Sequence, residues 1–303
     1  MVTEPMLVMN GDPMTSSTLR LLWPQWQGAT AQNAALLLPE VAAETARRGY
    51  AVGTSVLSAV LPDHEGPTAT VPVDLSDTGT EVRDGVEAKD AVLRQLSAAL
   101  AIIAERAPAR IVTLGGECST SIAPFASLEA RYGDDLAVVW IDAHPDTDTP
   151  TTHYNGHHAM AVSTLVGNGD PDVLQLLPAT VDPRRVALAG LHAWTEDAYP
   201  NVAAWGIEAF SPAALRTSSA PLLHWLAGTG CSRVAIHLDV DVVDSNEVVL
   251  GLGAEPGGLR IDEVRRLIAD LGAASDVVGV TVAEYIPRQV LQVRGLLDGL
   301  PLL

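Results

Sequence analysis

Two short segments of this sequence combine carboxylate and imidazole side chains at alternating positions. One is Asp142-Ala-His144-Pro-Asp146 and the other is Asp239-Val-Asp241. Alternate side chains of an extended segment project to the same side, so each segment can present its polar groups together. Clustered carboxylates repel one another and are costly to desolvate unless a cation neutralises them. The pair of segments therefore predicts a metal-binding site, whereas any one of these aspartates alone would suit an ordinary turn.

Each polar segment follows an apolar run that has the length of a β-strand. Such junctions occur at residues 111–119, 136–146, 234–244 and 277–284. Ligands of open α/β sheets bind at the carboxyl ends of the strands. We therefore expect four segments to converge there: Gly115–Ser119, Asp142–Asp146, Asp239–Asp244 and Glu284.

The rest of the chain alternates in the same way between strand-length and helix-length patterns. Further strands are predicted at Leu19–Trp23 and Arg185–Leu191, and helices at Ala31–Arg48, Ala88–Arg106, Pro212–Ala227 and Ile261–Leu271. Continuous apolar strands that alternate with amphipathic helices predict a parallel sheet covered on both faces. The expected fold is a three-layer α/β/α arrangement with a mostly parallel sheet. We expect one domain over residues 1–303, with 1–17 as a loose N-terminal arm.

Composition limits the possible partners and the compartment. The 303 residues are 48% hydrophobic and 18% charged, and the formal net charge of −19 argues against nucleic acid or an anionic membrane as a partner. The same charge would favour a cationic small molecule, although an acidic surface also serves solubility. No apolar run approaches the roughly 20 residues that span a bilayer. With only Cys118 and Cys231 and no visible secretory signal, a cytoplasmic location is expected.

The motifs resemble those of the arginase/agmatinase (ureohydrolase) family over about residues 111 to 287. The segment 142–146 matches the family's Asp-Ala-His-x-Asp, and 115–119 (Gly-Gly-Glu-Cys-Ser) resembles its Gly-Gly-Asp-His-Ser. His158-Ala-Met-Ala resembles the His-Gly-Met-Pro loop, and 237–244 resembles Ser-x-Asp-x-Asp-x-x-Asp. Glu284 resembles the glutamate before the family's last helix. The resemblance implies the fold shared by arginases and deacetylases, and an assembly into trimers or hexamers.

The resemblance also implies two divalent metal ions, Mn²⁺ by analogy with the family. One would be held by Cys118, Asp142, Asp146 and Asp239, and the other by His144, Asp142, Asp239 and Asp241, with Asp142 and Asp239 bridging. A hydroxide between the ions would attack the carbon of a cationic guanidino or amidino substrate, because metal ions lower the pKa of bound water. His158 resembles the family's proton shuttle. Glu284 would pair with the guanidinium, a task that suits a carboxylate on chemical grounds alone.

Cys118 departs from the family pattern, which has a metal-binding histidine at this position. A thiolate can ligate metal and would shift the preference from manganese towards Zn²⁺, Co²⁺ or Fe²⁺. Three interpretations stay open: a thiolate ligand, a neutral thiol that leaves one metal weakly bound or absent, and a covalent nucleophile.

The segments expected to read the substrate depart from the pattern as well. After the strand 186–191, arginases have Arg-Asp-x-Asp, whereas this chain has His192-Ala-Trp-Thr195. The segment 151–156 also differs from the family's serine–asparagine loop. The predicted activity is hydrolysis of a C–N bond, other than a peptide bond, in a linear amidine. The substrate would resemble agmatine, arginine or hydroxyarginine.

Two other functions are compatible with the sequence. A single-metal zinc amidohydrolase or deacetylase would share the fold, but the complete set of aspartates argues against one metal. A catalytically silent or single-metal homologue with a ligand-binding or structural role is motivated by Cys118. Metal analysis and a panel of guanidino and amidino substrates distinguish these possibilities.

Overall fold

The buried apolar runs of the sequence form the strands of one large sheet. The structure is a computed structural model that describes residues 17–37 and 41–303, so the predicted arm at 1–17 lies, apart from Ser17, outside the described residues. The strands are β1 (Thr18–Trp23), β2 (Thr68–Thr70), β3 (Val82–Arg83), β4 (Val86–Glu87), β5 (Arg110–Gly115), β6 (Leu136–Ile141), β7 (Val186–Ala189), β8 (Glu208–Phe210), β9 (Arg233–Asp239) and β10 (Asp276–Ala283).

The α-helices lie mostly between these strands. They are α1 (Ala31–Leu37), α2 (Ala43–Arg47), α3 (Gly49–Val60), α4 (Lys89–Arg106), α5 (Ile122–Tyr132), α6 (Ala161–Leu165), α7 (Pro171–Leu174), α8 (Tyr199–Trp205), α9 (Pro212–Leu215), α10 (Ala220–Thr229), α11 (Ile261–Ala274) and α12 (Val290–Leu297). Short 3₁₀ helices occur at Cys118–Ser121, Gly133–Asp135, His157–Met160, Pro183–Arg185 and Val240–Val242.

Eight strands form the main sheet in the order β2-β1-β5-β10-β9-β6-β7-β8, and every neighbouring pair is parallel. Strands β3 and β4 form a separate antiparallel hairpin. The prediction of a mostly parallel sheet is confirmed.

Side chains of the central strands alternate between two hydrophobic cores. On β6, Ala137, Val139 and Ile141 pack into a core with α3, α10, α11 and α12. The intervening Val138 and Trp140 pack into a second core with α4, α5 and α6. This two-residue period places helices on both faces of the sheet. The three-layer α/β/α prediction is therefore confirmed.

Two of the predicted helices are interrupted. The predicted helix Ala31–Arg48 corresponds to α1 and α2, with residues 38–40 outside the described part of the chain, and the helix that follows, α3, was not predicted. The predicted helix Pro212–Ala227 is divided into α9 and α10. Pro221 lies in the first turn of α10, where its missing N–H is tolerated. No helix in the described ranges is long and apolar enough to cross a membrane.

The four strands that precede the polar segments are neighbours in the sheet, in the order β5-β10-β9-β6. Parallel strands lie about 4.8 Å apart, so their carboxyl ends fall within about 15 Å of one another. The predicted convergence of the four polar segments follows directly from this strand order.

Candidate metal centre

All eight side chains singled out from the sequence lie at the carboxyl edge of the four central strands. They are Cys118, Asp142, His144, Asp146, His158, Asp239, Asp241 and Glu284. Seven are buried or nearly so, and His144 is the most exposed at 35% of its side chain.

The first group of donor atoms surrounds Cys118. Its Sγ and one oxygen each from Asp142 and Asp146 lie within 4.8 Å of one another and of a ring nitrogen of His237. Two donors on opposite sides of one ion are separated by about 4 Å, because metal–donor bonds are about 2.0–2.3 Å long. This spacing fits donors to a single ion.

The second group consists of Asp142, His144 and Asp241. His144 Nδ1 lies 3.1 Å from Asp241 Oδ2 and 3.5 Å from Asp142 Oδ1. Asp142 belongs to both groups, as a carboxylate that bridges two ions would. The Asp142 side chain is also held by the indole N–H of Trp140 at 2.9 Å and by the backbone N–H of His144 at 2.6 Å.

Asp239 lies between these groups. The Cys118 thiol donates to Asp239 Oδ2 at 3.1 Å, and Asp239 Oδ1 accepts the backbone N–H of Asp241 at 2.7 Å. Asp239 also forms a cluster of possible metal donors with Cys118 and Glu284.

The loop that carries Cys118 is fixed by the buried side chain of Glu117. This carboxylate caps the 3₁₀ helix Cys118–Ser121 by accepting the backbone N–H of Ser119 at 2.8 Å. Gly28 lies against the same carboxylate, because a Cβ at Gly28 would come within 2.2 Å of Glu117 Oε1. The thiol is thereby held at the end of β5.

Without a bound cation, the charged forms of the buried carboxylates and of the Cys118 thiol are disfavoured. Burial, together with the charge of Asp241, raises the pKa of Asp142 to about 6. Burial and neighbouring carboxylates also raise the pKa values of Asp146 and Asp239 well above their usual range. Burial of the Cys118 thiol, followed by the charge of Asp146, raises its pKa well above the ordinary value. With no cation bound, these groups would therefore hold protons that a metal ion can replace.

Two buried atoms of the site have no hydrogen-bond partner among the described residues, namely Asp146 Oδ2 and His237 Nε2. Unpartnered buried acceptors are uncommon, because each loses its hydration without compensation. Together with the donor types and their spacing, these two atoms fit divalent metal ions.

Two site residues have backbone angles in the left-handed region, which non-glycine residues adopt at a cost of about 1–3 kcal/mol. These are Asp146, with φ of 49°, and Glu284, with φ of 62°. The Glu284 backbone is secured by its N–H, which donates to Gly116 O at 2.7 Å. The fold thus holds both carboxylates in conformations that they would not adopt in a free loop.

His158 is held between two polar partners beside the donor groups. Its Nδ1 lies 3.1 Å from Glu284 Oε1, and its Nε2 lies 2.6 Å from the Tyr154 hydroxyl. Burial alone would lower the pKa of His158, but the interactions with Tyr154 and Glu284 outweigh it and raise the pKa well above the usual value. The ring is therefore set to carry a proton next to the donor groups.

A cavity of about 360 Å³ opens over these residues. Its acidic lining consists of Asp146, Asp148, Asp239, Asp241, Glu255 and Glu284. No lysine or arginine of the described residues lines it. Trp194 also lines the cavity and is half exposed, with its ring stacked on Tyr199 at 4.3 Å. The enclosure and the excess of carboxylates suit a small cation.

The residues near the site include Tyr154, Glu255 and His237, which were not predicted to take part in it. Tyr154 and Glu255 line the cavity, and His237 faces the first donor group. The sequence carried a signal only for His237, because it lies two residues before Asp239 on the same strand and therefore on the same face. Asp244, the last residue of the segment Asp239–Asp244, accepts the backbone N–H groups of Asn246 and Gly257 in an exposed turn.

The comparisons with known proteins agree with this geometry. The sequence profile described as the Arginase family matches residues 39–292, most of the chain. The chain belongs to the arginase family. Members of this family are hydrolases that act on C–N bonds in amidines and depend on a binuclear metal centre.

Individual relatives are distant. Arginase 1, mitochondrial, of Arabidopsis thaliana is 27% identical over 232 residues, which are 74% of this chain and 63% of that relative. The chain thus spans less than two thirds of the curated relative's length.

Two solved structures share the fold at lower identity. Entamoeba histolytica arginase in complex with L-ornithine superposes with a TM-score of 0.73 at 16% identity, covering 92% of this chain and 96% of that one. Formimidoylglutamase from Bacillus subtilis superposes with a TM-score of 0.63 at 15% identity, covering 95% and 85%.

Proposed function

We propose that this protein is a metal-dependent hydrolase that cleaves a C–N bond of a small guanidino or amidino cation. The observation that carries the proposal is the arrangement of donors from β5, β9 and β6 in two overlapping groups that share Asp142. His158 and Glu284 lie directly beside these groups.

Two divalent ions fit this arrangement, and when bound they would supply a water molecule of lowered pKa and neutralise the carboxylates. Asp142, Asp146, Asp239 and Cys118 would hold one ion. Asp142, His144, Asp239 and Asp241 would hold the other.

The chain's own residues would bind the substrate and move the proton. The buried Glu284 carboxylate would pair with the planar cation through charge-assisted hydrogen bonds. In the overall reaction, the oxygen of water joins the guanidino carbon, the bond to the leaving amine breaks, and the amine gains a proton. His158 would deliver that proton, because its ring is oriented by Tyr154 on one side and Glu284 on the other.

The acidic cavity supports a cationic substrate. Formimidoylglutamase is among the structural neighbours, so the fold alone does not select between guanidino and formimino compounds. The direct test uses the metal-loaded protein with arginine, agmatine, guanidinobutyrate, Nω-hydroxyarginine and formiminoglutamate, and measures release of urea or of the corresponding small product. We expect turnover of at least one guanidino cation. Absence of turnover with Mn²⁺, Co²⁺ and Zn²⁺ alike would rule the proposal out.

A matched variant separates the role of Glu284 towards the substrate from a role in metal binding. Glu284→Gln keeps the shape of the side chain but removes the charge that would face the guanidinium. We expect it to lower kcat/KM by at least about a hundredfold, in the range of lost charge-assisted contacts to a transition state. The number of bound ions should stay at the wild-type value, since Glu284 is assigned to the substrate.

A second candidate, a single-metal or catalytically silent homologue, is favoured by one observation. Cys118 donates a hydrogen bond to Asp239 as a neutral thiol, and a neutral thiol is a poor metal ligand. Metal analysis of protein purified without chelators distinguishes the two, because one ion or none per chain would support the second candidate.

A further inference from the structure

His237 lies within the sheet, directly below the first donor group. It is fully buried on β9 and is the register partner of Trp140 on β6. The two rings stack with centroids 3.5 Å apart and planes within 7° of parallel. Stacking fixes the plane of the imidazole, so its two nitrogens can point in only two directions.

One of these directions is occupied. His237 Nδ1 lies 2.7 Å from the hydroxyl of Ser121, in the 3₁₀ helix that also contains Cys118. Metal-binding histidines commonly donate one ring N–H to a neighbouring acceptor, which fixes the tautomer and leaves the other nitrogen free to bind the metal. Ser121 Oγ is placed to be that acceptor.

The other direction leads into the donor group. His237 Nε2 has no hydrogen-bond partner among the described residues. Its distance to Asp142 Oδ2 is 3.8 Å, too long for a hydrogen bond, yet the imidazole belongs to the group with Cys118, Asp142 and Asp146 in which all donor atoms lie within 4.8 Å. A proton on Nε2 would be a buried donor without an acceptor, whereas a lone pair there faces carboxylates that require a cation.

We propose that His237 Nε2 is the nitrogen ligand of the metal position surrounded by Cys118, Asp142 and Asp146. This inference rests on the proposed metal-dependent function and adds a ligand to it. It also offers a physical reason why Cys118 is tolerated. The imidazole that the family motif places at position 118 is supplied here from β9, at a position where the motif has serine.

The test measures metal binding rather than turnover. Apo-protein is dialysed against graded Mn²⁺ concentrations, and bound metal is counted by mass spectrometry for the wild type and His237→Gln. Glutamine retains a polar group that can face Ser121 but lacks an imidazole nitrogen. We expect two ions per chain in the wild type. In the variant, we expect one ion to be retained and the affinity for the other to fall by at least about tenfold.

Two further variants sharpen the comparison. Ser121→Ala keeps the imidazole but removes its hydrogen-bond partner, so it should weaken the same ion by less than His237→Gln does. His224→Gln makes the same substitution at an exposed position of α10 and should bind both ions like the wild type. Circular dichroism and thermal unfolding verify that each variant is folded.

The wild type alone provides a second measurement in case His237→Gln does not fold. In the proton NMR spectrum of the Co²⁺-loaded protein, the paramagnetic ion moves the chemical shift of a proton on a coordinated imidazole far outside the normal range. His237 Nδ1–H is buried against Ser121, so we expect such a signal to exchange slowly with D₂O. The inference is overturned if this signal is missing, or if His237→Gln binds both ions with affinities within about twofold of the wild type. If the wild type binds no metal, the proposed function fails with it.

Discussion

Cys118 lies among carboxylates, and this environment limits what its sulfur can do. Burial and the charge of Asp146 raise the pKa of the thiol, so without a cation the sulfur stays protonated and donates to Asp239. A protonated thiol is neither a nucleophile nor a strong ligand. Of the three interpretations drawn from the sequence, the covalent nucleophile has the least support in this geometry.

Replacing the sulfur by imidazole should strengthen manganese binding. A neutral nitrogen donor suits Mn²⁺ better than a thiol or thiolate does. We therefore expect Cys118→His to raise the Mn²⁺ affinity of one position by about tenfold, the scale of changes around a metal's ligands. Equilibrium dialysis with metal counting measures it. Unchanged or weaker Mn²⁺ binding would show that Cys118 lies outside the metal's coordination.

Tyr154 was not predicted, but it holds the nitrogen of His158 that faces away from Glu284. Tyr154→Phe removes the 2.6 Å hydrogen bond and little volume. We expect kcat on the best substrate to fall by roughly tenfold, less than the roughly 10²–10⁴-fold of a complete general acid–base contribution because His158 itself is retained, with KM within about twofold. Metal content should not change. The pH–kcat profile should move as well, because the hydrogen bond supports the protonated ring; an unshifted profile would assign Tyr154 to packing alone.

At the scale of elements, the sequence was most informative where strands are buried on both faces. The runs that became β5, β6, β9 and β10 are continuous and apolar, so their positions and the convergence of their carboxyl ends could be predicted. The three-residue edge strands β2 and β8 carry no such run and were missed. The predicted helix 31–48 contains Pro39, a residue that a helix interior does not tolerate, so the sequence itself indicates an interruption there.

Contacts across strands could not be predicted in the same way. The stack of Trp140 on His237 depends on the register between β6 and β9, which no local pattern reveals. The ligand sets implied by the family resemblance do not include His237, because the family motif has serine at this position. The Tyr154–His158 contact likewise depends on how the loop 149–156 folds over the sheet edge.

In the loop after β9, Gly253 packs closely against Asp241 of the second donor group. A Cβ at Gly253 would lie 2.6 Å from Asp241 Oδ2 and 3.1 Å from its Cβ. Gly253→Ala should therefore displace the Asp241 carboxylate and weaken the ion assigned to His144 and Asp241 by about tenfold. Metal titration monitors the loss, and the ion at the Cys118 group should bind as before.

Gly228→Ala provides the matched control for this substitution. Gly228 lies in α10, and a Cβ there meets no atom within 4 Å. Alanine is the better helix former, so this variant should gain up to about 1 kcal/mol of stability and bind both ions normally. If Gly253→Ala behaved in the same way, the loop would not constrain Asp241.

At the scale of the whole molecule, the acidic composition can serve two roles, solubility and attraction of a cationic substrate. The sequence alone does not distinguish them. The net charge of −19 is compatible with a solubility role, and many of the acidic residues are exposed. The cavity lining shows that part of this charge faces the candidate substrate site. Assembly into trimers or hexamers, a cytoplasmic location and a single domain over 1–303 stay predictions.

His157 links the stability of the whole fold to pH. It is almost completely buried next to His158, and neither ring nitrogen has a hydrogen-bond partner among the described residues. Burial lowers the pKa of its imidazole from 6.5 to about 4. Above pH 6.5 the ring is neutral in both states, and stability is complete. Between pH 6.5 and 4 the unfolded chain takes up a proton that the folded protein excludes, so stability falls as the pH falls.

Replacing His157 should therefore remove part of the acid sensitivity of the apo-protein. The lowered pKa of His157 makes the free energy of unfolding of the wild type fall by about 2 kcal/mol between pH 7.5 and 5. Urea unfolding at each pH measures this free energy. His157→Phe and His157→Gln differ in packing but both lack the titrating ring. Over the same pH range, the free energy of unfolding of both variants should therefore fall by about 2 kcal/mol less than that of the wild type. The buried carboxylates with raised pKa values act in the opposite direction, yet they are common to all three proteins and cancel in the comparison. Parallel pH dependences for all three would mean that the folded protein accommodates a charged His157.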